Sequence, residues 1–232
     1  MHAGWCWEDL VPRLEAQGHD AHAIDLPGAM GVPTPAEVCL DDWRGAVIAA
    51  LEGVRAPAVL VGHSMGGLAI TLAAAERPDL IRSLVYLCAV VPDPAGASVE
   101  GPASQKMRDL FISADGGVTL AFAPDVAREI FYHECAVEQA DRAMTRLRPQ
   151  AARPLRELAR FDPARLATLD VHYIRTANDR AIAPEIQQIY RARIPTAHEH
   201  LLACGHSPFF SHPLMLAELL DRIAGQTLES GP

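Results

Sequence analysis

The sequence predicts an α/β fold, a parallel sheet covered by helices, and three observations predict it. Short apolar runs rich in β-branched residues alternate with amphipathic stretches, the order that strand–helix–strand units produce. One such run, Ala58-Val59-Leu60-Val61, passes through "GHSMGG" directly into the alanine-rich "LAITLAAAE", which reads as strand, sharp turn and helix. The chain has 232 residues, half of them apolar. That is enough for one domain with a substantial buried core.

The elements follow in order. Strands are expected at His22–Leu26, Ala58–Val61, Ser83–Val91, Val171–Thr176 and His200–Ala203. Helices are expected at Asp42–Glu52, Met65–Glu76, Pro184–Arg193 and Pro213–Ile223. Pro78 stops the second of these helices. Between Pro92 and Pro163 the strand-like runs disappear, and helical stretches at Asp125–Cys135 and Ala136–Leu147 are separated by "PDPAG", "ADGG" and "RPQAARP". Residues 93–162 therefore read as a helical cap inserted into a core made of 1–92 and 163–232. The sequence carries no internal repeat or low-complexity tract.

Composition excludes several functions. A net charge of −9 without any run of Lys or Arg offers no basic footprint for nucleic acid or an anionic membrane. The five cysteines, Cys6, Cys39, Cys88, Cys135 and Cys204, are odd in number and lack C-x-x-C spacing. Neither a disulfide framework nor a zinc site is indicated, and a reducing cytoplasm is the expected compartment. No apolar run spans a bilayer, and no leader pattern opens the chain. The expected partner is a small molecule; a homodimer is the one assembly left open.

The chemistry-bearing stretch is Gly62-His63-Ser64-Met65-Gly66. In G-x-S-x-G the serine occupies a strained strand-to-helix turn, the glycines removing side chains that would block the bend. Such a turn exposes the hydroxyl and aims the first N–H groups of the helix beside it. A hydroxyl is a poor nucleophile at neutral pH, so Ser64 needs a histidine base and an orienting carboxylate. "YIRTANDRAIAPE" supplies Asp179 beyond the strand ending at Thr176, and "CGHSPFF" supplies His206 beyond the last strand. Asp170 and Asp162 compete for the acid role, but both precede their strand and suit helix or turn caps better. His63 reads as a packing or hydrogen-bonding residue beneath the turn. The remaining histidines show no metal-ligand spacing, so no metal and no cofactor are expected. Trp5 and Trp7 fit helix-to-sheet packing better than a stacking site for ligand.

"WCWEDLVPRLEAQGHDAHAIDLPG", "VGHSMGG", "YIRTANDRAIAPE" and "CGHSPFFSHP" together resemble the α/β-hydrolase superfamily. Within it they resemble the small branch of methylesterases, hydroxynitrile lyases and bacterial esterases. The similarity runs over nearly the whole chain and is weakest in the cap. It implies Ser64 as nucleophile, Asp179 as acid, His206 as base and the Met65 N–H as one oxyanion donor. Phe131 and Tyr132 of the insertion are the expected substrate-binding residues.

Ester hydrolysis is the leading expectation. Hydroxynitrile cleavage is associated in this branch with a lysine after the histidine and a non-histidine before the nucleophile, where this chain has Ser207 and His63. A serine at the turn also disfavours the dehalogenase and epoxide hydrolase relatives. A third alternative is an impaired member that only binds ligand. It draws on the opening "MHAGWCW", which resembles only the second of two His-Gly segments with which members of this branch begin. The expectation is therefore that a central strand, and the loop donating the second oxyanion N–H, lie upstream of Met1. Starting at Met1, the chain is expected to be poorly soluble, or to fill the slot between His22–Leu26 and Ala58–Val61 by rearrangement or with another chain. Otherwise the second donor comes from backbone near His2 to Gly4.

Overall fold

The computed structural model describes residues 1–29, 36–96 and 102–229. Its main sheet has four parallel strands: β1 (Ala58–His63), β2 (Ile81–Leu87), β6 (Asp170–Thr176) and β7 (His198–Leu202), in the order β1-β2-β6-β7. β2 is buried on both faces, as a central parallel strand must be. Val85 and Leu87 join Ile174 and Leu202 in one core, against Leu216, Leu220 and Ile223 of helix α9 (Pro213–Glu229). Leu84 and Tyr86 join Val171 and Tyr173 in the other, against α2 (Leu40–Glu52) and α3 (Gly66–Glu76). The Asp42 carboxylate accepts the Cys39 N–H at 2.7 Å and starts α2. Helices α1 (Val11–Ala16), α7 (Pro184–Ala192) and the short α8 (Pro208–Ser211) complete the layers.

The segment His22–Leu26, expected as a strand, joins no ladder. Its alternating residues look strand-like, but a strand exists only as a hydrogen-bonded partner. Between this segment and β1 lies a cavity of about 550 Å³, with Ile24 and Leu26 on one wall and Val59 and Val61 on the other. The segment is pinned instead at its ends: the Asp25 carboxylate accepts the Gly4 N–H at 2.6 Å, and the buried Trp43 indole donates to Pro27 O at 3.0 Å.

The segment between β2 and β6, where the insertion is expected, contains helices α4 (Pro102–Asp109), α5 (Pro124–Tyr132) and α6 (Val137–Arg146). It also carries a second, antiparallel sheet, β3 (Ile112–Ala114), β4 (Thr119–Ala121) and β5 (Gln150–Ala151). Strands of two or three residues are too short to show an alternating pattern, so the sequence reads as helix and loop there.

The two competing carboxylates have structural partners. Asp162 accepts the Ala164 N–H at 3.0 Å and caps a short 3₁₀ turn, Pro163–Thr168. Asp170 is not a cap. It opens β6, bonded to the buried His172 at 2.9 Å and to the Ser83 hydroxyl at 3.0 Å, while the other nitrogen of His172 meets His200 at 3.0 Å. Burial alone would raise the Asp170 carboxyl, but the bonds from His172 and Ser83 outweigh it and hold it below its ordinary value of 3.8. A carboxylate with a lowered folded-state pKa contributes stability that is present above 3.8 and lost as pH falls through the lower folded value. Asp170→Asn is expected to cost about 1–2 kcal/mol at neutral pH and to flatten the fall of Tm as pH drops below 3.8. Thermal melts across that range check it; an unchanged acid limb would show that Asp170 carries none of this dependence.

Candidate active site

Ser64 sits between the end of β1 and the start of α3 with φ 54°, a conformation that an L-residue adopts only under constraint. The backbone supplies the constraint. Ser64 N–H donates to Leu87 O at 3.2 Å, and Ser64 O accepts from Val90 N at 2.9 Å and Gly67 N at 3.2 Å. A Cβ on Gly62 would come within 2.6 Å of Ile70 Cδ1, and one on Gly67 within 2.0 Å of Val90 O. A Cβ on Gly66 would meet nothing within 4 Å. The bend therefore depends on Gly62 and Gly67, rather than on the Gly62 and Gly66 of the motif. Gly67→Ala is expected to destabilise by about 3–5 kcal/mol, lowering Tm by roughly 10 °C or preventing soluble expression. A soluble Gly67→Ala protein melting within about 2 °C of wild type would contradict this packing.

Asp179 and His206 meet behind the turn. Asp179 follows β6, His206 follows β7, and His206 Nδ1 lies 2.8 Å from Asp179 Oδ2 with both side chains fully buried. The carboxylate is saturated with donors. Oδ1 accepts the Ala181 and Ile182 N–H groups at 2.8 Å each, and Oδ2 accepts the Thr176 hydroxyl at 2.9 Å and the Gln187 amide at 3.2 Å. Burial pushes this carboxyl up, but His206 and these donors pull it below its ordinary value. It is a carboxylate at neutral pH. Nδ1 of His206 then carries the proton it donates to Asp179, which leaves Nε2 as the basic nitrogen. That Nε2 is buried and has no hydrogen-bond partner among the described residues.

His63 donates from Nε2 to the backbone oxygen of His206 at 2.8 Å, and the two rings lie 4.5 Å apart. Burial and the neighbouring His206 pull the pKa of His63 down to about 3, so it stays neutral. The Cys88 thiol approaches the same His206 oxygen at 3.7 Å. His63, Cys88 and His206 bring donor atoms within 4.8 Å of one another, the one such metal-ligand trio among the described residues. Burial holds the Cys88 thiol protonated, and a thiol binds a metal as the thiolate, so the trio does not suit a metal.

Met65 caps α3, and its N–H takes part in no backbone hydrogen bond among the described residues. It is placed to meet an anion beside Ser64. In front of Ser64 and Met65 lies a cavity of about 1180 Å³, lined by apolar residues such as Leu120, Phe122, Phe131 and Ile182 and by charged ones such as Lys106, Arg156 and Glu185. The two expected substrate-binding residues separate here. Phe131 lines this cavity and also the one beside β1. Tyr132 borders neither: it is 2% exposed, and its hydroxyl is bonded to His2 at 2.7 Å. The cause is helical geometry, since adjacent residues of α5 point about 100° apart.

Sequence reasoning missed Gly67, Gln187, Cys88 and Glu134. A polar Gln187 next to Ile186 on the buried side of α7 was a usable signal. Glu134, discussed below, had none.

A strand–serine–helix turn, a buried Asp–His pair at the ends of the last two strands of the main sheet and a cavity facing the serine define a hydrolase. The match to the alpha/beta hydrolase family covers residues 1–219, and the chain belongs to that family. It is an enzyme of the hydrolase class, carboxylesterase-like in its relatives. It is 29% identical to methylesterase 18 of Arabidopsis thaliana over 96% of this chain and 93% of that one. It is 24% identical to esterase PIR7B of Oryza sativa subsp. japonica over 97% and 92%. Among solved structures it resembles a methylesterase, MES16, from Arabidopsis (TM-score 0.83, 25% identity, 97% of this chain and 95% of that one). It also resembles a pyrethroid hydrolase from Sphingobium faniae JZ-2 (TM-score 0.84, 26% identity, 98% and 94%). Among the described residues no helix is long and apolar enough to cross a membrane.

Proposed function

We propose that this protein hydrolyses carboxylic esters through an acyl-enzyme on Ser64. His206 Nε2 takes the Ser64 proton as Oγ attacks the ester carbonyl, and the Met65 N–H meets the developing oxyanion. The proton then passes from His206 to the leaving alcohol. Water attacks the acyl-enzyme, again with His206 as base, and releases the acid. Asp179 holds the Nδ1 proton in place throughout and stabilises the imidazolium. The observation that carries this reading is the 2.8 Å bond between His206 and Asp179, fully buried, with Nε2 left unpartnered.

The substrate is a small ester: Leu120, Phe122, Phe131 and Ile182 give the facing cavity apolar walls, and Lys106, Arg156 and Glu185 add charged groups to its lining. The relatives named as methylesterases and as a pyrethroid hydrolase are in keeping with an ester substrate, small or bulky. Residues 93–162 serve as the cap over this cavity, and the free thiols fit a cytoplasmic setting. The test is a panel of p-nitrophenyl esters with mandelonitrile alongside. Ester turnover without cyanide release supports the reading; cyanide release without ester turnover would assign the lyase reaction instead.

A further inference from the structure

We infer that Glu134, in the turn after α5, is a positioning residue that latches the insertion onto both catalytic loops; the inference rests on the reading of Asp179 and His206 as the catalytic pair. Its two carboxylate oxygens take different partners. Oε1 accepts the Asn178 side-chain amide at 2.7 Å, and Oε2 accepts the Gly205 backbone N–H at 2.7 Å. Asn178 immediately precedes Asp179, and Gly205 immediately precedes His206. One side chain of the insertion thus holds the residue before the acid and the residue before the base.

The loops are otherwise tied to each other by Asn178 N–H to Cys204 O at 3.0 Å and Ala177 N–H to Leu202 O at 2.9 Å. Glu134 adds two charge-assisted bonds across that junction, each stronger than a neutral one. The neighbouring His133 reinforces the seat: a Cβ on Gly205 would lie 2.7 Å from His133 Cε1, so ring and loop are in direct contact. The 2.8 Å Asp179–His206 contact is sensitive to small shifts of either loop, and a displacement of about 1 Å can cost on the order of 10²-fold in rate. Glu134 therefore couples the seating of the insertion to the geometry of the catalytic pair. Glu134 lines neither of the two cavities.

The experiment compares wild type with Glu134→Ala, Glu134→Gln, Asn178→Ala and Glu134→Ala/Asn178→Ala. Each is titrated with a p-nitrophenyl phosphonate, which counts competent serines, and kcat and KM are then measured on a p-nitrophenyl ester. Glu134→Ala is expected to lower kcat per titrated site about 10- to 100-fold with KM within about twofold. Glu134→Gln keeps one acceptor oxygen and should fall between wild type and Glu134→Ala. In the Asn178→Ala background the loss of Glu134 should cost less than in wild type, because one of its two bonds is already gone. Wild-type kcat per site in Glu134→Ala, a loss confined to the number of titrated sites, or strict additivity with Asn178→Ala overturns the latch. Failure of the wild type itself to react with the phosphonate overturns the acyl-enzyme reading and the latch with it. Normal wild-type titration with an insensitive Glu134 overturns the latch alone.

Discussion

Ser64→Ala is expected to lower ester turnover by a factor on the order of 10⁴–10⁶ while leaving Tm within about 2 °C of wild type. The elbow is held by its backbone, through Leu87 O, Val90 N and Gly67 N, and no hydrogen bond of the Ser64 hydroxyl secures it among the described residues. Alanine at φ 54° is no more strained than serine. Removing Oγ therefore takes away the proposed nucleophile and leaves the scaffold. The assay is kcat/KM on a p-nitrophenyl ester together with a melting curve. A Ser64→Ala protein that keeps more than about a hundredth of wild-type kcat/KM would place the chemistry elsewhere.

Asp179→Asn is the second large effect, and it differs in kind. Loss of the carboxylate mis-sets the His206 tautomer and should lower kcat about 10⁴-fold. From the sequence alone the change is expected to act through the His206 tautomer, with little change in stability. The structure alters that expectation: five donors, from Thr176, Ala181, Ile182, Gln187 and His206, converge on the two oxygens. An amide offers one oxygen, and its NH₂ must face donors on the other side. A stability loss of about 2–4 kcal/mol is expected alongside the loss of rate. Denaturant unfolding measures it. An unchanged midpoint would mean that water or a rearranged loop satisfies those donors, and that Asp179 is less tightly held than the distances indicate.

The fold class and the placement of Ser64, Asp179 and His206 were legible because each follows an apolar run that becomes a strand, and strand ends on a parallel sheet gather at one edge. What escaped the sequence depends on partners far along the chain. Gly67 is required by Val90 O, and Glu134 meets Asn178 and Gly205, 44 and 71 residues away. No local pattern encodes such contacts. His22–Leu26 failed for a related reason, since alternation describes one chain segment whereas a ladder needs two. The strands of the insertion failed by length alone. Tyr132 was paired with Phe131 by proximity in sequence, although one residue along a helix turns a side chain from the cavity to the bond with His2.

The most direct test of the account is to trap the acyl-enzyme and locate it. Acid quench of the protein during turnover of a p-nitrophenyl ester, followed by intact mass and peptide mapping, should show one acyl group per chain, carried by Ser64, and none on Ser64→Ala. An acyl group on another residue, or equal labelling of wild type and Ser64→Ala, would contradict the assignment of Ser64 as the nucleophile.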